Sequence, residues 1–180
     1  MTLELRRLDG AAFDAAIPDL AVILADAVAG GASVGFLLPF SPEDAAMWWH
    51  SLECDVAHRS VLVIVARLDG RVVGTAQLRL AQLPNARHRA EVAKVLVHRS
   101  ARRQGIATAL MREIERLAVA DGRTLLVLDT IADSEAEPLY MKLGWTRAAE
   151  IPRYAGMPDG ELRPTVIFYR DLAVTGPGRG

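Results

Sequence analysis

The spacing of apolar positions changes its period along the first 60 residues. Leucines alternate with charged residues over 3–8, which predicts a short strand. Apolar residues then recur at three- and four-residue intervals from Phe13 to Val28, which predicts an amphipathic helix. Ser41 followed by Pro42 is typical of a helix start, so the sequence predicts a second helix there.

Strand patterns dominate the rest of the chain. Two apolar runs over 61–80 flank the turn dipeptide Asp69-Gly70, which predicts a β-hairpin. Beyond it the pattern predicts a strand at 91–97, a helix from Ile106 to Asp121, a strand at 124–130, a short helix at 133–142 and strands at 146–151 and 165–172. A strand–helix–strand unit among consecutive strands favours a mixed sheet with helices on its faces.

The domain prediction follows from the unbroken order of these elements. We find no repeat and no linker, and 180 residues suit one domain. We therefore predict a single domain over 1–172 and a loose tail over 173–180, since the tail has little to pack.

Composition narrows the expected partners. The 21 Lys plus Arg and 22 Asp plus Glu nearly balance, which argues against nucleic acid and anionic membranes as partners. The chain begins without the long apolar core of a signal peptide and contains no run long enough for a membrane span. Cys54, the single cysteine, allows no intrachain disulfide, and we expect it to pack within a helix. The four histidines are scattered, so we predict no metal site. The single cysteine and the missing signal-peptide pattern together predict a cytoplasmic protein.

The segment after strand 91–97 has the features of an anion-binding loop. A helix that begins at Gly105 presents amide N–H groups without partners and a partial positive charge. Arg102 and Arg103 add charge, and the side chain of Arg99 could reach another phosphate. Such a loop suits a pyrophosphate. On spacing alone, a solvated basic loop before an ordinary amphipathic helix fits equally well.

Two spaced motifs resemble the GCN5-related N-acetyltransferase (GNAT) superfamily. Arg102-x-x-Gly105-x-Ala107, after a strand ending in Val-Leu-Val, is similar to the acyl-CoA loop of that family. Ala136-x-x-Leu139-Tyr140-x-x-x-Gly144-Trp145 is similar to its later helix-and-turn signature. The resemblance implies an α/β (α+β) fold with a mixed, largely antiparallel sheet of about seven strands flanked by helices. It also implies a splay between strands 91–97 and 124–130 and acetyl-CoA as co-substrate.

The resemblance assigns roles to individual residues. The implied contacts to acetyl-CoA are Val95, Leu96, Val97, Arg102, Arg103, Gln104, Gly105, Ile106, Ala107, Thr108 and Asp133. Two positions depart from the family pattern: Arg99 stands where many members have proline, and Asp133 stands where an asparagine often holds the pantetheine arm. An ionised aspartate accepts hydrogen bonds and donates none, so Asp133 cannot replace that asparagine in every contact.

Three further stretches resemble one branch of the superfamily, the tabtoxin-resistance acetyltransferases. They are GGASVGF at 30–36, AEVAKVLV at 90–97 and PDGELRPTVIFY at 158–169. This narrower resemblance implies a small-molecule amine, such as a toxin, an antibiotic or an amino-acid-like compound, as the acceptor. It thereby implies a role in resistance.

Acetyl transfer from a thioester to an amine needs a base, an oxyanion donor and a proton for the thiolate. The resemblance places Tyr140 near the sulfur as proton donor and the backbone N–H of Val97 at the carbonyl oxygen. Glu91 and Asp129, at strand ends where carboxylates often are merely solvated, are the candidate bases, and the choice between them is open. Alternation predicts that Glu91, Ala93, Val95 and Val97 share one face. Tyr140 could instead be a core aromatic.

The apolar loop 32–40 is the expected cover of the acceptor, with Phe36 as its nearest contact, although a buried connection would have the same composition. Of Trp48 and Trp49, one should line a cleft and the other pack. Besides a small-molecule acetyltransferase acting through direct attack in a ternary complex, two alternatives remain. They are a protein or peptide N-acetyltransferase and a non-catalytic acyl-CoA-binding module. We expect a monomer or a homodimer.

Overall fold

The computed structural model describes residues 2–173 and contains one seven-stranded sheet. Its strands are β1 (Leu3–Leu8), β2 (Val61–Leu68), β3 (Arg71–Leu80), β4 (Arg89–Val97), β5 (Leu125–Ile131), β6 (Thr146–Gly156) and β7 (Leu162–Asp171). The helices are α1 (Gly10–Ala29), α2 (Pro42–His50), α3 (Glu53–Ala57), α4 (Ile106–Ala120) and α5 (Ala136–Lys142). The strand order is β1-β2-β3-β4-β5-β7-β6, and only the β4–β5 pair is parallel. The predicted mixed, largely antiparallel sheet is confirmed.

Local sequence signals set several of the element ends. Ser41 begins α2 with a capping box, in which its hydroxyl accepts from the N–H of Asp44 at 3.1 Å and the Asp44 carboxylate accepts from the N–H of Ser41 at 2.9 Å. The helix predicted at 133–142 begins only at Ala136, because Asp133 adopts a φ of +60° in the turn before it.

Two apolar clusters cover the two faces of the sheet. One cluster joins α1 and α2 to the first strands and includes Phe13, Ile17, Leu24, Trp49 and Val63. The other joins α4 to the middle strands and includes Ile64, Leu78, Leu110, Ile114 and Phe168. The expectation that Cys54 packs is wrong: α3 is a five-residue helix that buries only Val56, and Cys54 is exposed.

A β-bulge in β4 reverses the side-chain alternation. Gln77 of β3 lies opposite Ala93, whereas Thr75 lies opposite Leu96, so β4 carries one extra residue between these pairs. Lys94 in this interval has a φ of +49°. The predicted common face is therefore wrong beyond the bulge. Val95 and Val97 pack with the α4 cluster, as Ala90 and Val92 do, and Leu96 packs with the α1 cluster.

The predicted splay of the sheet lies between β4 and β5. Their parallel pairing runs from Arg89 opposite Leu125 to Glu91 opposite Val127 and then stops. The later residues of both strands diverge, which opens a gap at the centre of the sheet.

Two expectations concern the chain as a whole. Except for Ala173, the tail predicted at 173–180 lies outside the described residues. Within 2–173, no helix combines the length and the apolar character needed to cross a bilayer.

Candidate active site

The gap between β4 and β5 opens into a cavity of about 1190 Å³. Part of its wall consists of the end of β4, the loop after it and the first turn of α4. We call this part, formed by Val95–Val97, Arg102, Arg103 and Gly105–Thr108, the amide half. The opposite part carries ionisable side chains. We call it the charged half, formed by Arg79, Glu91, Lys94, Asp129 and Arg163.

The amide half presents backbone donors without acceptors. Gly105 caps α4 with a φ of +78° and no side chain accepts from the first turn. Ala109 is the first residue of α4 to donate to a backbone carbonyl, that of Gly105, at 3.0 Å. Within residues 2–173, the N–H groups of Ile106, Ala107 and Thr108 therefore have no acceptor, and all three residues line the cavity. A Cβ at Gly105 would meet no protein atom within 4 Å, so the space beside this backbone is open.

Val97 adds another donor that faces the gap. The N–H of His98 donates to the carbonyl of Val73 at 2.8 Å, which makes these two residues a hydrogen-bonded pair. In an antiparallel ladder the next pair, Val97 and Gly74, then directs its N–H and C=O groups away from the partner strand. The N–H of Val97 thus points from β3 toward the gap. Its carbonyl accepts from Nε of Arg102 at 3.3 Å.

Gly74 lets the first turn of α4 approach the sheet. A Cβ at this position would lie 3.0 Å from the carbonyl oxygen of Leu96 and 3.2 Å from Cγ2 of Ile106. Any larger residue would push the start of α4 away from β3. The sequence analysis missed this role, although a glycine inside a strand pattern often marks a close approach.

The arginines of the loop have different roles. Arg102 and Arg103 line the cavity, as expected for groups that bind phosphates. The expectation that Arg99 reaches a phosphate is wrong: its Nε is paired with the carboxylate of Asp26, and its backbone N–H donates to the same carboxylate at 3.0 Å. Arg99 therefore ties the loop to the last turn of α1.

The other predicted contacts to acetyl-CoA fall mostly on the cavity wall. Val95, Leu96, Val97, Arg102, Arg103, Gly105, Ile106, Ala107, Thr108 and Asp133 line it, whereas Gln104 does not. Asp133 has its backbone N–H bonded to Oε1 of Glu137 at 2.6 Å, which fixes the turn that presents its side chain.

Tyr140 lies on α5 between the two halves. The side chain is 7% exposed, and its ring packs against Trp145 and Phe168 with centroids 6.2 and 5.8 Å away. Its hydroxyl has no hydrogen-bond partner among residues 2–173, and the residue lines the cavity. Burial, with a smaller contribution from the charge of Asp129, raises the pKa of Tyr140 to about 12. The phenol is therefore protonated at neutral pH and can donate its proton.

The charged half brings both candidate bases to one face of the sheet. Arg79 lies opposite Glu91, which in turn is level with Val127. Asp129 is two residues further along β5, and Lys94 is three residues further along β4 with the bulge between. Side chains alternate along a strand, so Lys94 and Asp129 are on the same face and at the same level on opposite sides of the gap.

Burial shifts the proton affinities of the two groups that face each other. Asp129 is accessible from the cavity, but desolvation raises the pKa of its carboxyl, and the charge of Lys94 partly opposes this. Desolvation lowers the pKa of Lys94 to about 8, with Arg79 adding to the effect and Glu91 and Asp129 opposing it. The charged half thus contains a carboxylate of raised basicity next to a cation.

Lys94 rests on aromatic rings. Its Nζ lies 5.0 Å from the ring centroid of Trp48 and 5.6 Å from that of Phe36. Phe36 also stacks on Phe40 at 4.4 Å and does not line the cavity, so its predicted contact with an acceptor stays a prediction. Trp49 is fully buried and packs, as predicted for one of the two tryptophans, whereas Trp48 is partly buried and does not line this cavity.

Three residues of the charged half were missed by the sequence analysis, namely Arg79, Lys94 and Arg163. A signal existed for Lys94, because it interrupts the apolar run of strand 91–97. Within residues 2–173, no group of three His, Cys, Asp or Glu side chains is arranged to hold a metal ion.

Comparison with known proteins identifies the family. Residues 31–145 match the model of the acetyltransferase (GNAT) family. A provisionally named acetyltransferase from Salmonella typhimurium, solved with its cofactor acetyl-CoA, is 18% identical, with a TM-score of 0.78 over 99% of both chains.

Two further solved structures are each 22% identical to this chain, with a TM-score of 0.77. One is the ribosomal-protein-alanine N-acetyltransferase of Brucella melitensis, matched over 94% of this chain and 99% of the other. The second is a protein provisionally named a phosphinothricin N-acetyltransferase, matched over 95% of this chain and 99% of the other. At these identities the likeness shows the common fold and leaves the acceptor open.

Proposed function

The chain belongs to the GNAT family of acetyltransferases, and from this premise we propose that it transfers the acetyl group of acetyl-CoA to the amine of a small molecule. The resemblance to this superfamily is confirmed, and the chain is an acyltransferase of it. The identity of the acceptor and the roles of individual residues are our proposals.

The amide half fits acetyl-CoA. Three N–H groups without partners at the start of a 15-residue helix suit a pyrophosphate, and Arg102 and Arg103 supply positive charge beside them. The open space at Gly105 allows phosphates to approach the backbone. The unpaired edge of β4 in the gap offers backbone groups to the amide-containing pantetheine arm. We propose that Asp133 lies beside this arm.

Three groups of the chain around the gap would share the chemistry, with the acceptor and acetyl-CoA bound together. Asp129 takes a proton from the acceptor ammonium, a role supported by the desolvation that raises the pKa of its carboxyl. The nitrogen then forms a bond to the acetyl carbon, and the bond from that carbon to sulfur breaks. The N–H of Val97 donates to the carbonyl oxygen. Tyr140 gives its proton to the departing thiolate, and a second proton from the nitrogen restores the phenol.

The loop 32–40 is the observation that favours a small acceptor. The hydroxyl of Ser33 donates to the carbonyl of Gly156 at 2.8 Å, and the N–H of Leu38 donates to the carbonyl of Pro158 at 2.8 Å. These bonds fasten the loop to the β6–β7 hairpin on one side of the charged half. A closed wall of this kind leaves room for a compact molecule rather than for an extended peptide.

Two observations point to the class of acceptor. The tabtoxin-resistance resemblance and the phosphinothricin name of one structural neighbour both suggest a toxin or antibiotic as acceptor, and hence a role in resistance. The single cysteine suits a cytoplasmic enzyme.

The test measures release of the CoA thiol from acetyl-CoA with a panel of small amines and with peptides ending in alanine or containing lysine. We expect turnover with at least one small amine and a rise in melting temperature with acetyl-CoA alone. Turnover with peptides only would instead establish a protein acetyltransferase. Binding of acetyl-CoA without turnover of any amine would indicate a non-catalytic module.

A further inference from the structure

We propose that the acceptor carries a carboxylate in addition to its amine, and that Lys94 and Arg79 bind this carboxylate. The inference rests on the proposed acetyl transfer and names the class of molecule that the charged half would admit. It assigns a binding role to two side chains that the acetyl-transfer chemistry does not use.

The charged half carries more cations than carboxylates. Three cations line the charged half, Arg79, Lys94 and Arg163, against two carboxylates, Glu91 and Asp129. None of the five forms an ion pair within 4 Å in the described part of the chain. Elsewhere, Arg123 has a side chain only 11% exposed and is paired with Asp121. The cations of the charged half are thus available to an anion from outside.

Several hydrogen-bond donors in and beside the charged half have no acceptor within residues 2–173. Gln77 is fully buried beside Ala93, and its Oε1 accepts from Nε of Arg79 at 3.3 Å. This bond orients the guanidinium and leaves its two terminal nitrogens without a partner in residues 2–173. The buried Nε2 of Gln77 and the Nζ of Lys94 also lack an acceptor there. A carboxylate has two oxygens that accept in the geometry a guanidinium offers.

The positive charge of Lys94 is poorly stabilised before an acceptor binds. The charge of Lys94 is destabilised by burial and by Arg79, and the rings of Trp48 and Phe36 offset only part of that cost. An acceptor that entered as a simple ammonium would add another positive charge to this half. A molecule with its own carboxylate brings the missing negative charge, because a desolvated cation gains strongly from a close anion.

The positions of the groups orient such a molecule. Lys94 and Asp129 face each other at one level across the gap, and Arg79 lies on β3 opposite Glu91, which is three residues before Lys94 on β4. A carboxylate held by Lys94 and Arg79 leaves the amine of the same molecule free to meet Asp129 at the gap. Free amino acids and their relatives have this combination of groups, whereas the ends and side chains of proteins that carry amines lack a carboxylate at that distance.

The test compares matched acceptors that differ only in this group. We would measure kcat/KM for a panel of L-amino acids and for the corresponding carboxamides, with wild type, Lys94→Met and Lys142→Met. Methionine keeps the length of the side chain and removes the charge. Lys142 is the only other lysine, lies at the exposed end of α5 and does not line the cavity, so it is the matched control.

We expect wild type and Lys142→Met to prefer the best acid over its amide by at least about tenfold, as typical for a charge-assisted contact. In Lys94→Met the ratio should fall below about threefold, with the change in KM rather than kcat. A preference for amides in wild type, or an unchanged ratio in Lys94→Met, would overturn the carboxylate subsite.

A binding measurement separates this inference from the proposed reaction. The melting temperature is recorded with CoA present and either an amino acid or its carboxamide added at equal concentration. If acids raise it, amides do not and Lys94→Met abolishes the difference, the subsite stands even where no turnover is found. If no acid in the panel is turned over and none raises the melting temperature, the subsite is overturned.

Discussion

The two halves of the cavity are made from different parts of the polypeptide. The amide half presents backbone N–H groups at Val97 and in the first turn of α4, together with the side chains of Arg102 and Arg103. The charged half presents five ionisable side chains from four strands. The amide half therefore depends mainly on main-chain geometry, which a family can share. The charged half depends on side chains that can change one at a time. We therefore expect cofactor binding and acceptor specificity to be separable in this molecule.

Of the substitutions that test this separation, Asp129→Asn should have the largest effect. The amide keeps the size of the side chain and removes the proton acceptor, so kcat should fall by about 10²–10⁴, the usual contribution of a general base. The dissociation constant of acetyl-CoA, measured by calorimetry, should stay within about threefold because the amide half is untouched. Glu91→Gln is the matched control and should lose less in kcat. A larger loss there would make Glu91 the base.

Tyr140→Phe tests the group that stands between the halves. A thiolate whose conjugate acid has a pKa near 8.5 leaves with modest help, so we expect kcat to fall by about 10–10². Because the pKa of Tyr140 is about 12, wild-type kcat should show no loss from ionisation of this phenol up to pH 10. Stopped-assay rates from pH 6 to 10 measure both effects. Full activity of the variant would remove Tyr140 from the mechanism.

Gly105→Val should damage the amide half alone. A β-branched residue is strained at a φ of +78°, and its side chain would enter the open space beside the helix start. We expect the affinity for acetyl-CoA to weaken by about tenfold or more. Gly122→Val, at the other end of α4 with a φ of +76° and open space around it, reproduces the strain away from the cavity. Equal losses in the two variants would show that the effect is only on folding.

The smallest effect is a shift of pH dependence within the charged half. Lys94 opposes the rise in the pKa of Asp129, so Lys94→Met should raise that pKa further and move the acidic limb of kcat/KM to higher pH. In wild type, the ¹³Cε signal of Lys94 should titrate with a midpoint of about 8, assigned by its loss in the variant. Binding of a carboxylate acceptor should raise this midpoint, and an unchanged midpoint would contradict close contact.

The same division explains what could be predicted from the sequence. The amide half was found because a glycine at a helix start and the basic residues before it are neighbours in the chain. The bulge at Lys94 was not predicted, because it is defined by the register of β4 against Gln77 and Thr75 on another strand. The pairing of Arg99 with Asp26 joins residues 73 positions apart, which no local pattern contains. The splay was implied by the family resemblance, whereas the order of the strands was not predicted.

The short contact between β4 and β5 has a mechanical consequence. Among the described residues, β4 and β5 are joined by three ladder pairs, from Arg89 opposite Leu125 to Glu91 opposite Val127, so a narrow seam connects the two parts of the sheet. A ligand bound along the gap would form its own bonds to both strands, in place of the hydrogen bonds that β4 and β5 do not form with each other there. We therefore expect binding in the cavity to stiffen the whole sheet as well.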